Sequence, residues 1–347
     1  MNFKSDTSSA ISQEILNAVI AINNSYQESY GQDQYSSDLK KRLSDVFETN
    51  LDYFLVSTRT AANCLSIASL IKPYEAIACH YNAHLYHDEC GAANFFTNGS
   101  GLLLIDGNNG KLDVMSLKHQ LERSKSMRPH HQKAGCISIT QASECGTVYS
   151  LDELHHIDSV ATHYHLPIHM DGASFANALV KLKCTPAEMT WKNGIKILSL
   201  GASKNGCSNI EGVIIFDKKI AADFDYRVKQ TGHLISKTKI LSIQLLTYLK
   251  NDLWLKNAAH ANNMAQELLQ MFKDYGFFSK YQVDANKLFI NLEVELAEFL
   301  YNNNCRFCSW DDGVDNFYRF VTSHSTTLLE IDNLARLIVE YKRLRYN

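Results

Sequence analysis

The stretch LPIHMDGASFANAL, residues 166–179, runs from a short apolar segment through Asp-Gly into a row of small residues that open a helix. An apolar run of this length, punctuated by Asp-Gly and followed by a helical pattern, is how a buried strand of a parallel sheet hands its chain to a crossover helix. Six other runs share its character: YFLVS (53–57), AIAC (76–79), GLLLI (101–105), GCISIT (135–140), ILSL (197–200) and GVIIF (212–216). Between them lie amphipathic stretches such as SLDELHHIDSVATHYH (150–165), where Leu151, Leu154, Ile157 and Val160/Ala161 share a face. Ser150 stands three residues before Glu153, as a capping box requires. The pattern predicts an α/β fold around a mostly parallel central sheet.

After about residue 220 the pattern changes to long helices (LSIQLLTYL, MAQELLQMFKDYGF), the strand-like KLFINLE and FYRFVTS, and a last helix near 326–345. The expected organisation is a large α/β domain over 1–240, with an N-terminal arm or first helix at SAISQEILNAVIAI, and a smaller α+β domain over 241–347. The aromatic segments FFSKY and NFYRF are expected in the core of the smaller domain.

Charge and cysteine content narrow the functions. The chain has 347 residues, with 34 basic and 37 acidic side chains for a net charge of −3. No basic stripe or long like-charge run marks a nucleic-acid partner, so a small molecule is expected instead. No apolar run reaches the roughly 20 residues of a membrane span. Nine cysteines without framework spacing, and a start lacking a secretory pattern, predict a reducing cytoplasm. The segment CHYNAHLYHDECG (79–91) is rich in His, Cys and acids, but no second ligand pair follows at structural-zinc spacing and HExxH is missing, so no metal is expected. The C-x-x-C at Cys305 and Cys308 lies in a strand-like stretch without a second pair, and no zinc or redox role is assigned to it.

In open α/β sheets, ligands sit beyond the carboxyl ends of the strands. Asp171 ends one apolar run, and Lys204 follows another in LSLGASKNG. A lysine amine able to form a Schiff base, and a carboxylate able to keep a pyridine nitrogen protonated, are what a pyridoxal phosphate enzyme requires. The residues alone also admit a helix-capping Asp and a solvated loop Lys. A third element, STRTAANCLSIASLIK (57–72), opens a helix after a strand with small residues, a natural phosphate cradle.

As a set, these segments resemble the low-specificity L-threonine aldolases, pyridoxal phosphate enzymes of fold type I. FKSDT (3–7) is similar to the family's R-S-D-T, YGQDQYSSDLKKRL (30–43) to its Y-G-D-D segment and TRTAANCLS (58–66) to its T-G-T-A-A-N. NAHLYHDECGA (82–92) is similar to A-A-H-x-x-x-x-E-x-G-A, HMDGASFANAL (169–179) to H-x-D-G-A-R-x-x-N-A, LGASKNGC (200–207) to the lysine motif and FYRFVTSHSTT (317–327) to the segment around R-L-V-T. The resemblance implies that Lys204 carries pyridoxal 5'-phosphate and Asp171 faces its ring nitrogen. Thr60, with its neighbours Arg59 and Ala61, would hold the phosphate, and Lys237 would reach a phosphate across a subunit interface. It further implies that His84 lies over the ring and moves the proton of the substrate's β-hydroxyl, with Glu144 a second acid/base candidate. Ser5 and Arg319 would bind the substrate carboxylate, and a homo-oligomer, dimer or tetramer, is expected.

Two departures stand out. Ser174 replaces the family's D-G-A-R arginine, and Arg59 replaces its phosphate-loop glycine. A guanidinium at 174 would bind the α-carboxylate bidentately and choose which bond to Cα breaks. Either Arg59 enters the site to restore the charge, or it turns to solvent or an acid, or the substrate differs. The expected activity is cleavage of the Cα–Cβ bond of a β-hydroxy-α-amino acid to glycine and an aldehyde. The alternatives are β-elimination, racemisation or glycine condensation on the same cofactor, or a non-catalytic homologue.

Overall fold

The computed structural model describes residues 1–310 and 316–346. Seven strands form one sheet: β1 (Asp52–Val56), β2 (Glu75–His80), β3 (Gly101–Ile105), β4 (Lys133–Thr140), β5 (Ile168–Gly172), β6 (Ile195–Gly201) and β7 (Glu211–Ile215). Their order is β1-β7-β6-β5-β4-β2-β3, and every pairing is parallel except those of β7 with β1 and β6. The seven apolar runs are therefore the seven strands. Ile137, Ile139, Met170, Leu198 and Leu200 are buried at 0–1% exposure. Helices cover both faces, which is why these strands carry apolar residues without alternation. The helix Leu151–Tyr164 starts on the Ser150/Glu153 capping box and buries Leu154, Ile157, Val160 and Ala161.

A second, antiparallel sheet has the order β8-β10-β9, with β8 Lys287–Asn291, β9 Cys308–Ser309 and β10 Phe317–Val321. Its core gathers Phe3, Leu268, Phe272, Leu288, Ile290, Phe320, Leu334 and Ile338. Phe3 belongs here because its backbone bridges Arg306 and Val321, at 2.7 and 2.8 Å. Leu245, Leu249, Trp254 and Ala258 still pack in the larger core. The helix Leu253–Asp274 contributes to both cores, Trp254 and Ala258 to the larger and Met264, Leu268 and Phe272 to the smaller. The change of pattern near 220 marks the last strand of the large sheet, whose covering helices are still to come. In the aromatic segments Phe317 and Phe320 are buried, whereas Phe278 is exposed, contrary to its expected core place. All nine cysteines are free.

Candidate active site

The parallel strands bring their carboxyl ends to one edge, and the charged residues collect there. Asp171 is paired in register with Thr140 on β4 and Ser199 on β6. Its carboxylate is buried and receives the Ala173 N–H at Oδ1 (3.1 Å) and Asn63 Nδ2 at Oδ2 (2.9 Å). Arg59 donates to it from Nε (3.1 and 3.0 Å) and from Nη2 (2.6 Å). Burial, the largest single influence, pushes the Asp171 carboxyl up, but the charge and hydrogen bonds of Arg59 together with the charge of His84 hold it below the usual range. Beneath it His169 bridges Ser138 and Ser199, at 2.9 and 3.0 Å, and burial drives its ring down to about 4, so it is neutral.

Lys204 lies on the short turn Ser203–Asn205 just after β6. Burial lowers its amine; the charges of Arg59 and Lys287 add to this, while Asp6 and Glu144 oppose it. A lysine with a depressed proton affinity is a better nucleophile at neutral pH. Gly201 admits this turn, since a Cβ there would lie 2.4 Å from the carbonyl oxygen of Ala173. Glu211, opposite Gly201 on β7, accepts the Ala202 N–H at 2.7 Å, and burial pushes its carboxyl up to about 7.

His84 begins a short helical turn and donates or shares its Nδ1 proton with Glu89 Oε1 at 2.9 Å. Glu89 is fully buried at its side chain and also accepts from Asn63 Nδ2 at 2.9 Å. Asn63 thereby joins the His84–Glu89 pair to Asp171. The carboxylate selects the imidazole tautomer that leaves Nε2 as a proton acceptor. His80, by contrast, is tied to Gly107 O and the Asn82 N–H. Among the described residues no group of three or more His, Cys, Asp or Glu is arranged to hold a metal.

Glu144 sits between two cations, with Oε1 2.8 Å from Arg59 Nη2 and Oε2 3.1 Å from Lys287 Nζ. Burial pushes it up, and Lys287 and then Arg59 more than offset this, leaving it well below the usual carboxylate range. Such a carboxylate is a poor proton acceptor at neutral pH, which weakens the expected acid/base part for Glu144. Arg59 does enter the site, but it binds the two acids.

The helix Arg59–Ala68 follows β1 and is capped by Thr58, whose hydroxyl accepts the Ala61 N–H at 3.1 Å. Ala61 is thus satisfied within the helix, and the N–H groups left to an anion are those of Arg59 and Thr60. His233 stands beside this start, 3.4 Å from Ser57 Oγ. Lys237 is exposed at the head of the helix Thr238–Leu249 and takes no part in this network. Ser174 is buried at the start of the helix Phe175–Leu182 without a side-chain cap bond. Ser5 caps the turn Asp6–Ser8 and bonds Thr7 Oγ1 at 2.7 Å. Arg319 pairs with Phe289 across β10 and β8, two residues along from the Val321–Lys287 pair, so it shares the sheet face from which Lys287 reaches Glu144. Its Nε is buried without a hydrogen-bond partner among the described residues, as is Asn63 Oδ1.

Asp171 and Lys204, read from the strand ends, thus share one neighbourhood with Arg59 and with His84 and Glu144, which only the family resemblance had pointed to. Glu89, Asn63, Lys287 and His233 were not expected there. Glu89 carries a signal in its fixed distance from His84; Lys287 and His233 lie in strand and loop contexts that read as ordinary.

Known proteins resemble this chain over most of its length. A family model described as beta-eliminating lyase matches residues 2–295. The chain is 39% identical over 322 residues to the low-specificity L-threonine aldolase of a Pseudomonas species, covering 89% of this chain and 92% of the relative. It is 37% identical over 335 residues to that of Pseudomonas aeruginosa, covering 96% of each. The solved structure of a Leishmania major threonine aldolase superposes with a TM-score of 0.91 at 25% identity, covering 99% of both chains.

Proposed function

The chain belongs to the beta-eliminating lyase family, among the low-specificity L-threonine aldolases, and we propose from this premise that it is an aldehyde-lyase that cleaves L-threonine or L-allo-threonine to glycine and acetaldehyde with pyridoxal 5'-phosphate. The observation that carries the reading is the placement of an amine of lowered proton affinity, Lys204, and an ionised buried carboxylate, Asp171, at the ends of adjacent strands, with the His84–Glu89 pair joined to Asp171 through Asn63.

The residues suit this cofactor. Lys204 is the amine that would hold it, Asp171 the carboxylate for its ring nitrogen, and the Arg59 and Thr60 N–H groups, with His233, the phosphate end. The Arg319 guanidinium, whose Nε is buried without a hydrogen-bond partner among the described residues, suits a substrate carboxylate. Pyridoxal 5'-phosphate, when bound, supplies an electron sink for the carbon left when the Cα–Cβ bond breaks. The chain's own part is to fix the substrate by its carboxylate on Arg319 and Ser5, and to take the β-hydroxyl proton on His84 Nε2. Glu89 stabilises the charge that develops on that imidazole. Positioned bases of this kind contribute about 10²–10⁴-fold. Glu144 we assign to holding Arg59 and Lys287.

No helix among the described residues is long and apolar enough to cross a membrane. We place the protein in the cytoplasm, in keeping with nine free cysteines. We also propose a homo-oligomer, a dimer or tetramer, since Leu16, Ile20, Tyr26 and Tyr30 near the N-terminus are all exposed.

The test is a visible absorbance spectrum of the purified chain with pyridoxal 5'-phosphate. A cofactor band present in the wild type and lost in Lys204→Ala is expected; an identical band in both would overturn the assignment of Lys204.

A further inference from the structure

The carboxylate of Asp171 is fully subscribed. Its Oδ1 accepts from the Ala173 N–H (3.1 Å) and Arg59 Nε (3.1 Å), and its Oδ2 from Arg59 Nε (3.0 Å), Arg59 Nη2 (2.6 Å) and Asn63 Nδ2 (2.9 Å). A carboxylate offers about four lone-pair directions. A ring N–H that is to bond Asp171 must therefore take the place of one of these donors.

The donors differ in how readily they leave. Ala173 N is backbone, two residues on from Asp171 itself. Asn63 Nδ2 also holds Glu89 Oε1 at 2.9 Å, so its departure would break the link to His84. Arg59 has a long side chain at the first turn of its helix and a second anchor, Glu144 Oε1, 2.8 Å from its Nη2. If it leaves Asp171, its charge remains compensated by Glu144 and need not be carried to solvent.

We propose that Arg59 is a displaceable ligand of Asp171: the cofactor's ring nitrogen and the Arg59 guanidinium compete for the same carboxylate, and seating the ring shifts Arg59 onto Glu144 alone. This rests on the pyridoxal phosphate reading above. It makes Arg59, where the resembling family has glycine, a residue that tunes how tightly the cofactor is held. Breaking a buried, bidentate ion pair opposes cofactor binding; removing the arginine lifts that opposition.

The experiment is an equilibrium titration of the cofactor-depleted full chain with pyridoxal 5'-phosphate, read by quenching of protein fluorescence and by the visible band. It is run on the wild type, Arg59→Gly, Arg59→Lys, Asp171→Asn and the Arg59→Gly/Asp171→Asn double variant. Arg59→Gly is expected to bind about tenfold or more tightly than the wild type, because a buried pair no longer has to break. Arg59→Lys, which keeps the charge but loses the fork, falls between them and serves if the glycine variant folds poorly. The gain should disappear on the Asp171→Asn background. Equal or weaker binding by both Arg59 variants overturns the proposal, and so does a gain that persists in the double variant, because Arg59 would then act elsewhere. Absence of a band and of quenching in the wild type and every variant overturns the cofactor reading itself, a different result from a wild type that binds while the Arg59 variants do not improve.

Discussion

His84 Nδ1 lies 2.9 Å from Oε1 of a Glu89 whose side chain is fully buried, and the same oxygen accepts from Asn63. A buried carboxylate on Nδ1 fixes the ring's orientation and leaves Nε2 as the nitrogen that faces a proton donor.

His84→Phe, which keeps a ring and removes the acceptor, should lower kcat for L-threonine by roughly 10²–10⁴-fold while cofactor is retained. Glu89→Gln should lower kcat less, with KM little changed. Steady-state kinetics on both variants check this, and an unchanged kcat in His84→Phe would remove the histidine from the proton path.

Lys287 on β8 ties the smaller sheet to the loop after β4 by its bond to Glu144. Lys287→Met leaves Glu144 with Arg59 as its remaining cation in a buried setting. The expected loss of stability is about 3 kcal/mol, the lower end for breaking a buried pair, because Arg59 stays. Urea unfolding measures it; a loss below the error of the extrapolation would show that the bridge contributes little.

Two buried groups titrate in opposite senses. Glu211 is raised from 4.5 to about 7, so the folded state holds a proton that the unfolded chain has lost, and stability falls as pH rises across that window. His169 is lowered from 6.5 to about 4, so the unfolded chain binds the proton, and stability rises with pH across that window. Where the windows overlap the two slopes cancel. Glu211→Gln keeps an acceptor for the Ala202 N–H and removes the falling contribution. Between pH 5 and 6.5 its stability should therefore climb, relative to the wild type, by about 1.4 kcal/mol per pH unit. Unfolding free energies measured across this range check it; parallel curves for the two proteins would contradict it.

The seven strands were legible because a sheet covered on both faces needs continuous apolar runs, and Asp171 and Lys204 stand out as polar residues where such runs stop. That one helix, Leu253–Asp274, serves both cores was not legible, because it does so with one continuous apolar face. The orientation of Arg59 was equally hidden. Its partner Asp171 is 112 residues away, and nothing local distinguishes an arginine that turns inward from one that faces water.

Gly201 stands against the backbone of Ala173, the residue that hydrogen-bonds Asp171. Gly201→Ala would force β6 away from the turn after β5, and overpacking of this kind costs about 1–3 kcal/mol. Thermal unfolding should show the loss, accompanied by weaker retention of pyridoxal 5'-phosphate, because Lys204 and Asp171 lie on either side of the contact. A stable variant with full cofactor content would show that the strand ends have room to spare.

The central claim, that Lys204, Asp171 and the His84–Glu89 pair serve cleavage of a β-hydroxy-α-amino acid, is tested most directly by product analysis. The purified chain with pyridoxal 5'-phosphate is incubated with L-threonine and L-allo-threonine, and glycine and acetaldehyde are quantified together. The expected result is equimolar glycine and acetaldehyde, lost in Lys204→Ala. Ammonia with 2-oxobutanoate, the Cα epimer of either substrate (D-allo-threonine from L-threonine, D-threonine from L-allo-threonine), or no product from a cofactor-loaded wild type would contradict it.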